Sequence, residues 1–82
     1  MNIKVYTASN CPYCIKLKNF LKENGIKFKE INISIYPEAV KELKNITGQV
    51  GVPVLLFGNQ KIVGFNEEHL RKVLNIKRRK FE

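Results

Sequence analysis

The pattern of apolar and polar residues first predicts a strand, a turn and a helix. Ile3, Val5 and Thr7 lie on one side of an extended segment, which is typical of a strand. A turn-like Ala-Ser-Asn segment follows, and Pro12 suits the first position of a helix. We expect the dipeptide Asn24-Gly25 to end this helix. Its apolar stripe is formed by Cys14, Leu17, Phe20 and Leu21.

The middle of the chain predicts a second strand and a second helix. Residues 26–33 are rich in isoleucine and phenylalanine, which favours a strand, although the alternation slips near Glu30 and Ile31. Pro37 is expected to start the next helix and Gly48 to close it. The apolar stripe of this helix consists of Ala39, Val40, Leu43 and Ile46.

The last segments predict a hairpin and a helix. Residues 54–57 are continuously apolar, as in a central strand that is covered on both faces. Gly58-Asn59 forms a two-residue turn into a fourth strand, residues 60–63. Asn66 is expected to cap a final helix whose inward residues are Leu70, Val73 and Leu74.

This order of elements, βαβαββα, predicts an α/β fold. The first two strands must be parallel because a helix connects them, and the hairpin adds an antiparallel pair. A four-stranded mixed sheet flanked by three helices results. A chain of 82 residues supports one core. We therefore expect a single domain over residues 1–82, with a short basic tail from about residue 76.

Composition and charge restrict the possible partners. With 44% hydrophobic and 27% charged residues, the chain is expected to fold. We expect neither a membrane span nor a secretory leader, because the sequence shows no apolar run of the required length and pattern. The net charge of +8 requires that an anionic partner be considered, but most lysines are scattered as on a solvated face. Only Lys77 to Lys80 form a basic block. We interpret this block as a solvated tail and do not expect a nucleic acid partner; the alternative is a module that binds nucleic acid or an acidic protein.

Two cysteines, Cys11 and Cys14, carry the candidate chemistry. A disulfide between them would close a ring of about four residues and stabilise the fold little, so the pair indicates redox chemistry. Cys11 precedes the predicted helix, where free N–H groups and the macrodipole stabilise a thiolate. Cys14 lies on the apolar stripe and is expected to resolve the mixed disulfide that Cys11 forms. Tyr13 is exposed between them, as a substrate-lining ring or as plain surface.

A Cys-x-x-Cys pair can also supply two ligands of a zinc site, but the sequence lacks residues for the others. There is no third cysteine, and His69, the sole histidine, belongs to the predicted last helix. We therefore expect neither a metal nor another cofactor beyond the cysteine pair. An iron-sulfur cluster shared between two chains stays open as an alternative.

Over essentially its whole length the sequence resembles the glutaredoxins. The resemblance rests on Cys-Pro-Tyr-Cys after a strand and on five further markers. These are Val5-Tyr6-Thr7, Gly25, Thr47-Gly48, Val52-Pro53 and Gly64. It implies a thioredoxin-like fold, a cis peptide bond before Pro53, and a Val52 backbone that pairs with an extended substrate. Gly64, Phe65 and Asn66 would also belong to the substrate site, although Gly64 could equally be a strand-end turn and Phe65 could pack under the last helix.

Departures from the glutathione-dependent pattern leave the electron source open. Ala8 and Gln49 stand where basic residues are common in the family, and Asn66 stands where an aspartate is usual. The Val63-Gly64-Phe65 segment instead resembles the glutaredoxin-like electron donors of ribonucleotide reductase, which thioredoxin reductase recharges. The resemblance thus implies a dithiol oxidoreductase. We expect it to be a monomer in the cytoplasm, where isolated reactive cysteine pairs are kept reduced. Its substrates would be protein disulfides or glutathione mixed disulfides, and its reductant glutathione or thioredoxin reductase.

Overall fold

Seven elements follow one another along residues 3–75, the part of the chain that this computed structural model describes. They are β1 Ile3–Thr7, α1 Pro12–Glu23, β2 Lys29–Asn32, α2 Ala39–Thr47, β3 Val54–Phe57, β4 Gln60–Val63 and α3 Glu67–Val73. The predicted order βαβαββα is confirmed. The basic tail expected from about residue 76 lies outside the described residues.

The four strands form one mixed sheet in the order β2-β1-β3-β4. β1 and β2 are parallel, with Thr7 opposite Asn32, as their helical connection requires. β3 runs antiparallel to both of its neighbours, β1 and β4. The apolar segment predicted to be a central strand is therefore an interior strand, and its successive residues Val54 and Leu55 are buried on opposite faces.

Helices cover both faces of the sheet. On one face, α1 and α3 contribute Leu17 and Leu70 to a cluster that includes Val5 of β1. On the other face, Leu43 of α2 packs with Tyr6 of β1. The Leu17, Leu43 and Leu70 side chains have no solvent exposure. Each predicted apolar stripe thus faces the sheet, and this burial is the main source of stability available to a domain of this size.

The second strand is shorter than its sequence suggests. The expected strand covered residues 26–33, whereas β2 pairs only from Lys29 to Asn32. Ile26 and Phe28 lie before the strand, and they pack against the cluster that contains Val5, Leu17 and Leu70. This packing accounts for their apolar character. The Ile26 N–H donates to the Leu21 carbonyl at 2.9 Å, which ties this segment to the end of α1 rather than to the sheet.

The second helix starts later than predicted. Pro37 was expected at its first position, but α2 begins at Ala39 and Glu38 is its N-cap, without a side-chain capping bond. Two turn bonds precede the helix: Ala39 donates to the Tyr36 carbonyl and Val40 to the Pro37 carbonyl. Pro37 thus occupies a turn, for which its fixed φ is also suited.

Candidate active site

Three connecting segments leave the sheet at one edge. Because β1 and β3 are antiparallel and Tyr6 lies opposite Val54, the end of β1 is beside the start of β3. Val54 also pairs with Val63 at the end of β4. The loop between β1 and α1, the segment ending at Pro53 and the turn at Gly64 therefore meet at this edge. The topology thus brings the loop that leads to Cys11 to the same edge of the sheet as the segments that the family resemblance assigns to substrate.

Cys11 is the N-cap of α1. Its backbone is extended, with φ −112° and ψ 105°, and its Sγ accepts a hydrogen bond from the Cys14 backbone N–H at 3.3 Å. Pro12 occupies the first helical turn, where a missing N–H costs nothing. The sulfur takes the place of the oxygen in an ordinary capping side chain, at the end of the helix where an anionic acceptor is favoured. The predicted position of Cys11 at the helix start is confirmed.

Cys14 lies one turn into the helix and is buried, with 1% of its surface exposed. Burial raises the pKa of its thiol to about 11, and its hydrogen bond with Cys11 acts in the same direction. A backbone hydrogen bond from Ala8 and the charge of Lys18 oppose this rise in pKa. Both cysteines are free thiols, and Cys11 is half-buried. The two sulfurs thus differ in accessibility as the apolar stripe predicts.

The Val52–Pro53 peptide bond is cis, as the family resemblance implies. Pro53 is buried, and its carbonyl accepts the Gly64 N–H at 2.8 Å. Gly64 has a φ of 84° and turns the chain at the end of β4, so its amide is used within the protein. Within residues 3–75, the Val52 backbone makes no hydrogen bond, and Val52 is half-buried. Its N–H and carbonyl are therefore left for a ligand or for water.

The remaining predicted substrate residues have contacts of their own. Tyr13 is 58% exposed, and the Lys16 ammonium lies 5.2 Å from its ring centroid. Phe65 packs edge to face on Phe20, with ring centroids 6.0 Å apart, which is the packing alternative. Asn66 caps α3, accepting the His69 N–H on its Oδ1 at 3.0 Å. Contacts of Tyr13, Phe65 and Asn66 with substrate stay predictions.

One polar network near the cysteines was missed from the sequence. The Glu30 carboxylate on β2 accepts the Thr7 hydroxyl at 2.7 Å and the Lys18 ammonium at 2.9 Å. These hydrogen bonds, first that from Lys18 and then that from Thr7, lower the pKa of Glu30. Two features of the sequence were consistent with this network: Lys18 is four residues beyond Cys14, and the strand alternation slips at Glu30. The pairing itself could be found only from the fold.

No larger ligand cluster is found in the described part of the chain. Among residues 3–75, no three histidine, cysteine or acidic side chains come together as metal ligands would. None of the helices there has the length and apolar character needed to cross a membrane. The block from Lys77 to Lys80 lies outside this range, so its contacts stay a prediction.

Comparison with known proteins gives the family. The glutaredoxin family profile matches residues 3–62. An 8.6 kDa glutaredoxin-like protein from the rubredoxin operon of Clostridium pasteurianum is 35% identical over 72 residues, which cover 88% of this chain and 96% of that protein.

Solved structures give the same result. A glutaredoxin from Archaeoglobus fulgidus superposes with a TM-score of 0.80 at 30% identity, covering 88% of this chain and 84% of the other. The glutaredoxin-like protein NrdH-redoxin from Escherichia coli, which has a thioredoxin-like activity profile, also gives 0.80, at 29% identity and with 89% and 95% covered. The expected thioredoxin-like fold is thereby confirmed. Glutaredoxins in general are thiol-disulfide oxidoreductases, and this chain, with its two cysteines at a helix start, belongs to the glutaredoxin family.

Proposed function

We propose that the protein is a dithiol oxidoreductase in which Cys11 is the nucleophile and Cys14 the resolving thiol. The observation that carries this proposal is the contrast between the two sulfurs. Cys11 caps α1 and accepts a helix N–H, whereas Cys14 is 1% exposed and its pKa is raised to about 11. At neutral pH the thiolate is the reactive form, so the accessible sulfur attacks first.

The reaction has two exchanges. The Cys11 thiolate attacks one sulfur of a substrate disulfide, a Cys11–substrate disulfide forms, and the other substrate sulfur leaves as a thiolate. Cys14 then loses its proton to water and attacks the Cys11 sulfur. The second substrate sulfur leaves with the electron pair of the broken bond. The substrate has gained two electrons and the protein holds a Cys11–Cys14 disulfide, which an external thiol reductant must reopen.

Substrate binding is assigned to the sheet edge beside the cysteines. The Val52 backbone makes no hydrogen bond with the other described residues, and an extended peptide could pair with it as a short additional strand. Tyr13 lies between the cysteines in the sequence, and its exposed ring offers an apolar surface. We therefore propose protein disulfides or mixed disulfides with glutathione as substrates, reduced by a monomer without a further cofactor. A reducing compartment, the cytoplasm, would keep the cysteine pair ready for use.

A second candidate differs in the electron source. The resemblance of the Val63-Gly64-Phe65 segment favours an electron donor to ribonucleotide reductase that thioredoxin reductase recharges. The similarity to NrdH-redoxin of Escherichia coli, with its thioredoxin-like activity profile, supports this candidate. Oxidised protein should be offered glutathione in one reaction and NADPH with thioredoxin reductase in another. Faster reduction by the enzyme supports this second candidate, and faster reduction by glutathione contradicts it.

Variants test the two sulfur roles directly. Cys11→Ser should abolish reduction of a mixed disulfide, because no accessible thiolate is left to attack. Cys14→Ser should stop at the first exchange and accumulate a Cys11–substrate disulfide that intact-mass measurement detects. Normal turnover by Cys11→Ser, or a mixed disulfide found on Cys14 in the wild type, would show that the roles are wrongly assigned.

A further inference from the structure

Lys18 lies one helical turn beyond Cys14, on the same face of α1. Residues four apart on a helix are neighbours, with Cβ atoms about 5–6 Å apart. The Lys18 side chain is only 27% exposed, and its Nζ lies 2.9 Å from Glu30 Oε2. This carboxylate also accepts the hydroxyl of Thr7, a residue with no solvent exposure. The ammonium is therefore fixed between α1, β1 and β2 rather than free in solvent.

Within residues 3–75, few charged or titratable groups act on the Cys14 sulfur. From α1 these are the Cys11 thiol and the Lys18 ammonium, and from the end of β1 there is a backbone hydrogen bond of Ala8. Glu30 on β2 holds Lys18. Burial and Cys11 raise the pKa of the Cys14 thiol, whereas Ala8 and Lys18 lower it. Among these groups, Lys18 alone supplies a positive charge that a Cys14 thiolate would gain from.

We infer that Lys18, held in place by Glu30, is a positioning residue for the second exchange: its ammonium stabilises the thiolate that Cys14 forms before it attacks the Cys11 disulfide. This inference rests on the proposed function and adds to it a residue outside the cysteine motif. In the step itself, the Cys14 proton passes to water and the Cys14–Cys11 bond forms. The bond between Cys11 and the substrate sulfur breaks, and that sulfur leaves as a thiolate. Lys18 keeps its proton throughout.

The two exchanges can be followed separately with dithiodipyridine. Attack by Cys11 releases one coloured thiopyridone and leaves the other bound, and attack by Cys14 releases the second. Two phases of equal amplitude are thus expected from the reduced wild type. The first phase reports Cys11 and the second reports Cys14. A wild type that shows no second phase, or a Cys11→Ser variant with an unchanged first phase, would contradict the proposed function itself.

Lys18→Gln and Lys18→Met remove the charge. The thiolate fraction of Cys14 should then fall and the second phase should slow. Each tenfold fall in the thiolate fraction slows the phase about threefold, because the higher nucleophilicity of the more basic thiolate restores part of the rate. The first phase should keep its rate, because Lys18 lies seven residues, or about two helical turns, beyond Cys11. Lys18→Arg keeps the charge and should restore the second phase. The matched control is Lys41→Gln, which removes an exposed lysine from α2 on the opposite face of the sheet.

Three results would overturn the inference while leaving the proposed function intact. The first is a second phase of normal rate in both Lys18→Gln and Lys18→Met. The second is an equal slowing of both phases that Lys18→Arg does not restore, which indicates a purely structural role. A second phase that slows as much in Lys41→Gln as in Lys18→Gln would likewise overturn it, since total charge would then explain the effect.

Discussion

The burial of Cys14 predicts that its thiol reacts slowly, and a Cys11→Ser variant allows this to be measured. With a pKa of about 11, about one Cys14 thiol in 10,000 is ionised at pH 7, against about three in 100 for an ordinary thiol. The thiolate fraction of Cys14 is thus about 300 times smaller than that of an ordinary thiol. The more basic thiolate is about ten times more nucleophilic, which offsets part of this difference. Disulfide exchange at Cys14 should therefore be about twentyfold to thirtyfold slower than at an ordinary thiol.

The substitution removes the contributions of Cys11 to this pKa and leaves the largest cause, burial. Burial also limits access to the sulfur, in the same direction as the pKa. We therefore expect the folded variant to react with dithiodipyridine at least about tenfold more slowly at pH 7 than the same variant in urea.

The pH profile supplies the second measurement. In urea the rate should level off above about pH 8.5, where an ordinary thiol becomes ionised. In the folded variant it should continue to rise well beyond that pH. Equal rates in the two states at pH 7, or a folded-state profile that levels off at the same pH as the urea profile, would refute the claim that burial keeps Cys14 protonated.

Three further predictions concern stability, measured by urea unfolding. Leu17→Ala should lower the free energy of unfolding by about 2–5 kcal/mol, because this fully buried side chain packs in the core between α1 and the sheet. Leu17→Met, which keeps most of the volume, should cost less than about 1.5 kcal/mol. Glu30→Gln should cost about 1 kcal/mol or less at pH 7, since Lys18 and then Thr7 lower the pKa of this partly exposed carboxylate. The difference from wild type should shrink as the pH falls through the lowered pKa of Glu30 and the carboxylate is protonated, and a difference that stays constant down to the most acidic pH at which the protein is folded would contradict it. Asn66→Ala should remove the α3 cap and cost about 1 kcal/mol, with Asn66→Asp close to wild type; equal losses in both would exclude capping as the reason.

Local sequence rules predicted a helix boundary correctly where a single chemical requirement determines it. Pro12 and Asn66 mark helix starts because each meets a requirement of the first turn, and Gly48 ends α2 with a φ of 79°. The boundaries that were wrong, at residues 26–28 and at Pro37, lie where an apolar residue or a proline has two uses. Ile26 could pair in a strand or pack against a helix end, and only the position of α1 decides between them.

The same distinction applies to the candidate site, where some features followed from the local sequence and others did not. The Cys-Pro-Tyr-Cys spacing was enough to place one sulfur at a helix start and the other on its buried face. The resemblance to glutaredoxins supplied the Pro53 segment, because sequence rules alone favour a trans bond before proline. Thr7, Lys18 and Glu30 come from three separate elements, and no local pattern relates them.

The sequence by itself determined the order of the elements, the buried stripe of each helix and the position of the cysteines, since these depend on neighbours within about one helical turn or one hairpin. Tertiary structure decided which residues surround the sulfurs. The pairing of β1 with both β2 and β3 brings two residues that are distant in sequence close to the strand that leads to Cys11: Glu30 on β2 and Pro53 directly before β3. Burial and charge at Cys14 depend on that assembly, because desolvation and Coulomb interactions act through space rather than along the chain.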